Sequence, residues 1–150
     1  MTKLPGTTLL MLTVFITMCC WASEFASPPT WTSEPLKIID GYGLAPWSYG
    51  GYALIGTLAR SGERYAIVSD IVSIGWNNDF ILVESKVTKQ EWNIIVVSTG
   101  KNYSCDQNSP FTEDCSSFEE FNLLKQRIGV PNSLVMKDVN QVYEELSKNK

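Results

Sequence analysis

Between Tyr52 and Ser98 the sequence carries four runs rich in β-branched and aromatic residues, and the links between them are too short to hold a crossover. The runs are Tyr52 to Leu58, Arg64 to Trp76, Phe80 to Glu84 and Glu91 to Ser98. Ser61-Gly62 supplies a tight turn between the first two, and Asn77-Asn78-Asp79 a turn before the third. Parallel neighbours require a connection of a dozen or more residues, so links of this length predict an antiparallel meander.

The chain ends in helical signals. Ser116-Ser117-Phe118-Glu119-Glu120 offers a capping box in two registers, Ser116 with Glu119 or Ser117 with Glu120. Apolar residues recur at Phe118, Phe121, Leu124 and Ile128 before Gly129 and Pro131 stop the helix. A second helix is predicted from about Asp138, with Val139, Val142, Tyr143 and Leu146 on one face. The expected fold class is α+β, a four-stranded antiparallel meander with one face packed by the C-terminal helices.

The N-terminal part reads differently. Lys3 is the one charge before an apolar stretch of about 14 residues, Leu9 to Ala22, which is short of the roughly 20 needed to span a bilayer. Residues 1–22 therefore read as a signal peptide cleaved after Ala22. Lipid attachment at Cys19 or Cys20 is the alternative, although Met18 or Cys19 stands where such signals place a small residue. Residues 23–40, rich in Pro, Ser and Thr up to Pro35, read as a flexible linker, and residues 41–150 as a single domain. The expected location is periplasmic or secreted, with no membrane span after cleavage.

Cleavage leaves 11 basic against 16 acidic residues, a net charge of −5. A mildly acidic domain without a basic cluster lacks the electrostatic footprint of a nucleic-acid binder. It also keeps an even pair of cysteines, Cys105 and Cys115, which in an exported chain predicts a disulfide closing a short loop. The intervening acids and amides hold oxygen ligands, but Phe111 stands where a helix-loop-helix calcium site needs its sixth-position Gly. No metal and no cofactor are expected.

The chain contains no His, which removes the commonest general base and the Ser-His and Cys-His forms of nucleophile activation. Carboxylate chemistry would have to draw on Asp40, Asp70, Asp79 or Glu84, whose separations spacing does not define. The expectation is a non-enzymatic protein. Trp47, Tyr49, Tyr52, Trp76 and Trp92 form an aromatic surplus, and Trp47 and Tyr49, in a Gly-rich loop, are candidate contacts for an envelope protein or glycan.

Arg64 to Val68, Val72 to Val83, Trp92 to Ile95, and Glu119-Glu120-Phe121 with Ile128-Gly129-Val130-Pro131 together resemble a family of small exported bacterial proteins, often lipoproteins, known as a domain of unknown function. The resemblance covers roughly residues 50 to 137 and implies export and an α+β domain. Ser61-Gly62-Glu63-Arg64-Tyr65 is similar to the Ser-Gly-x-Arg/Lys-Tyr loop of bacterial inhibitors of C-type lysozyme, which would make Ser61 and Arg64 contact residues. The Trp-x-Lys-Gly stretch and early barrel cysteine of that family are absent.

Overall fold

In the computed structural model, the described residues are 31–86, 89–106 and 115–149. The predicted signal segment, with Cys19 and Cys20, and residues Gln107 to Asp114 lie outside them. The described part is α+β but mostly β, with two antiparallel sheets where one meander was expected. The first sheet comprises β1 (Leu36–Ile39), β2 (Tyr42–Pro46), β3 (Tyr52–Thr57) and β4 (Arg64–Val68), in that order. The second is built from β5 (Ile71–Trp76), β6 (Phe80–Lys86), β7 (Gln90–Val96), β8 (Lys101–Asp106) and a two-residue strand, β9 (Lys137–Asp138), in the order β8-β7-β6-β5-β9.

The split occurs inside the run Arg64 to Trp76, which reads as continuous strand. Asp70 adopts a left-handed backbone, φ 54°, the single non-glycine residue among those described to do so. This reverses the chain between β4 and β5 and passes it from one sheet to the other. The Asp70 carbonyl then accepts a hydrogen bond from the Lys86 N–H at 3.0 Å, which anchors the corner to the end of β6.

Two faces of the second sheet are covered, and its central strands show it. Ile81, Leu82 and Val83 are all fully buried, as are Ile94 and Ile95, so these strands lack the alternation of a half-solvated sheet. On the inner face, Ile74, Ile81, Val83 and Ile95 meet Leu44, Leu54 and Val68 of the first sheet. On the outer face, Leu82, Trp92, Ile94 and Cys105 meet helix α1 (Phe118–Ile128) through Phe121 and Leu124.

The helices do not share one face as expected. Helix α2 (Val139–Lys148) contributes Val139 and Val142 to the core between the sheets, and the Tyr143 ring packs 4.8 Å from that of Tyr52. Their separation follows from the segment that joins them. It crosses the outer face, burying Val130 and Leu134, and pairs as β9 with Ser73 and Ile74 on the edge of β5. The α1 cap settles the two-register question: the Ser117 hydroxyl accepts from the Glu120 N–H at 3.2 Å, and Gly129 closes the helix in a left-handed conformation.

The linker boundary is corrected as well. Of residues 23–40, the described part belongs to the domain. Leu36 is buried in β1, the Thr32 N–H donates to the Pro46 carbonyl at 3.0 Å, and Trp31 packs with Trp47 over Ala45, Ala53 and Ile55 on the far side of the first sheet. Pro and Ser content hid this because the anchoring is done by one Trp and a short strand.

Candidate functional site

The four binding candidates divide between two places. Trp47 and Tyr49 occupy the β2–β3 loop, while Ser61 lies in the β3–β4 turn and Arg64 begins β4, so the two pairs stand at opposite ends of β3, about 20 Å apart along the strand. Trp47 is half-buried against Trp31, whereas Tyr49 is 70% exposed at the loop tip. Ser61 donates to Glu63 at 3.3 Å on the surface, and Arg64 is held by Glu34 at 2.5 Å. Tyr52 and Trp76 pack against the core between the sheets. Among the acids, Asp40 pairs with Lys37, whose hydrogen bond and charge hold its carboxyl below the usual range. Asp70 forms the sheet corner and Asp79 a turn in which the Asn77 Oδ1 caps the N–H groups of Asp79 and Phe80 at 2.9 and 2.8 Å.

Glu84 stands apart from these. It lies on the outer face of β6, half-buried, and both of its carboxylate oxygens are engaged. The Ser73 hydroxyl on β5 donates to Oε2 at 2.6 Å, and the Gln90 amide on β7 donates to Oε1. Register makes this arrangement, since Ser73 is the β5 partner of Glu84 and Gln90 lies one side-chain repeat from its β7 partner, Trp92.

Glu84 opens onto a cleft of 610 Å³ between the outer face of the second sheet and the elements that cover it. Leu82 and Trp92 line its sheet side, and Phe118 and Lys125, seven residues apart on one face of α1, form one wall. Asn132, Leu134, Val135 and Met136 supply the other wall. That wall sits directly on β5: a Cβ at Gly75 would stand 2.3 Å from the Val135 carbonyl oxygen, so the missing side chain is what admits the segment.

The cleft has an apolar rim and separated charges. Phe118, whose ring lies 5.3 Å from that of buried Trp92, is 51% exposed, and Val135 is 68% exposed. Lys125 lies with its ammonium 5.9 Å from the centre of the Phe121 ring, and no ion pair among the described residues includes either Lys125 or Glu84. Its volume falls within the range of small-molecule sites. Glu84 is the one acid among the described residues lining it, so the carboxylate pair that glycoside hydrolysis needs is not assembled there.

Sequence reasoning names Glu84 and Trp92, but in separate groups, and expects Phe118 on the buried face of its helix. Ser73, Gln90, Lys125 and Asn132 carry no local signal. Cys105 and Cys115 stand as the expected pair, with Cα atoms 4.7 Å apart, beside Trp92 and Phe121 under the cleft. No helix among the described residues is long and apolar enough to cross a membrane. No family model, curated protein or solved structure matches the chain.

Proposed function

We propose that the chain is an exported, non-enzymatic binding module of the bacterial envelope, and that it takes its partner, an envelope protein or glycan, in the cleft beside α1. The observation that carries this reading is Glu84, held at both oxygens by neutral donors inside an open cleft with an exposed aromatic rim. A few oriented polar groups in an otherwise apolar concavity are what a binding site requires. The absence of His from the chain, and Glu84 as the one acid among the described residues lining the cleft, favour binding over turnover. Export is supported by the signal-like N-terminus and by the cysteine pair.

The test is an NMR titration of the isotope-labelled protein with envelope proteins and with glycan fragments of the cell wall. Shifts clustered at Glu84, the Trp92 indole and Lys125 are expected. Shifts confined to the Trp47 to Gly51 loop would move the site to the aromatic loop, and hydrolysis of any added fragment would replace the binding reading with an enzymatic one.

A second reading, inhibition of C-type lysozyme through the β3–β4 turn, is favoured by the exposure of Ser61 at a hairpin tip. Purified protein that leaves lysozyme digestion of cell walls unchanged removes it.

A further inference from the structure

We infer that the cleft recognises a zwitterion of amino-acid or dipeptide size with an apolar side chain, its ammonium group on Glu84 and its carboxylate on Lys125. The inference rests on the cleft being the binding site and adds the chemistry of what enters it.

Ser73 and Gln90 orient the Glu84 carboxylate, but both are neutral, so they fix its direction without cancelling its charge. A carboxylate that already accepts one bond at each oxygen keeps further lone pairs for another donor. An ammonium group, with three donors and a full positive charge, fits that remainder better than a hydroxyl does, because charge-assisted hydrogen bonds are about twice as strong as neutral ones.

Lys125 supplies the opposite charge in the same cleft. If the two groups served only to stabilise the fold, direct pairing would be the economical arrangement, yet they line one cavity without forming an ion pair. A ligand carrying both signs satisfies both at once, whereas an anion or a cation alone would leave one of them facing its own sign. Phe118 and Val135, exposed on opposite walls, offer apolar surface to the side chain of such a ligand.

The experiment titrates the full mature protein by NMR with four probes: phenylalanine, alanyl-phenylalanine, N-acetylphenylalanine and phenylalaninamide. Phenylalanine or the dipeptide is expected to shift cleft resonances, and whichever binds more tightly identifies the ligand size. Removing the ammonium by acetylation, or the carboxylate by amidation, is expected to weaken binding at least tenfold. Glu84→Gln should weaken phenylalanine at least tenfold, with an unchanged spectrum away from the cleft reporting an intact fold. Lys125→Met should weaken phenylalanine equally but bind phenylalaninamide at least as tightly as the parent does, since that probe has no carboxylate to lose and its positive charge no longer faces the Lys125 ammonium.

Equal binding of phenylalanine and its N-acetyl derivative overturns the inference, as does Glu84→Gln binding phenylalanine like the parent. Zwitterions that fail up to about 10 mM while an uncharged glycan fragment shifts the cleft also overturn it and leave the binding-module reading standing. If every probe and envelope fragment perturbs only the first sheet, both fall.

Discussion

Replacing Gly75 by alanine sets two physical effects against each other, and the structure decides which wins. Glycine inside a strand is unfavourable by about 0.5–1 kcal/mol relative to alanine, so propensity alone predicts that Gly75→Ala stabilises the protein. The new methyl, however, would lie 2.3 Å from the Val135 oxygen, 2.9 Å from its carbonyl carbon and 3.1 Å from the Met136 Cα. All three are backbone atoms, which cannot rotate away as a side chain would.

Relief requires the 130–136 segment to lift by about 1 Å, loosening Val130 and Leu134, which are buried beneath it. Overpacking of this kind costs about 1–3 kcal/mol, and contact with backbone puts it at the upper end. After subtracting the propensity gain, the variant should be about 2 kcal/mol less stable, a fall in Tm of roughly 8 °C for a domain of this size. Urea unfolding followed by tryptophan fluorescence, with thermal unfolding by circular dichroism, measures both. A Gly75→Ala protein as stable as the parent, or more so, would refute the close crossing of this segment over β5 and with it the far wall of the cleft.

Two further outcomes follow from other parts of the molecule. Cys105 and Cys115 are 10 residues apart, so Cys105→Ala with Cys115→Ala should lower stability by about 2.5–3 kcal/mol in urea unfolding. An intact mass of the protein purified without reductant that does not rise by about two daltons on reduction would instead show that the pair is not joined. The Glu120 carboxylate accepts from the Ser116 N–H and hydroxyl, which hold its pKa below the ordinary 4.5. A depressed folded-state pKa contributes stability that is present above the unfolded value and lost as pH falls through the folded one. The stability advantage of the parent over Glu120→Gln should therefore shrink between about pH 5 and pH 3, and an advantage independent of pH in that window would sink the capping account.

Local features of this protein are legible in its residues alone. The Ser61-Gly62 and Asn77 to Asp79 turns, the two helices, the second beginning at about Asp138, and the stop at Gly129 depend on neighbours within a few residues, and each is where its sequence signal stands. Strands β3, β6 and β7 follow from apolar runs that any sheet would bury. Less visible are β1, hidden in a Pro-rich and Ser-rich stretch, and β8, Lys-Asn-Tyr-Ser-Cys-Asp, a largely polar edge strand. An edge strand needs backbone pairing more than apolar side chains, so composition understates it.

By itself, then, the sequence determined the antiparallel connectivity, the helix boundaries, the lack of histidine chemistry and the cysteine pair, because these rest on residue type and short-range geometry. Only the tertiary structure decided that Asp70 divides one β run between two sheets and that the helices part to different layers. The cleft belongs to the same class. Ser73, Glu84, Gln90, Lys125 and Asn132 come from three strands, a helix and a loop. Sheet register and the passage of a backbone segment over Gly75 bring them together, and neither is encoded by any one stretch of the chain.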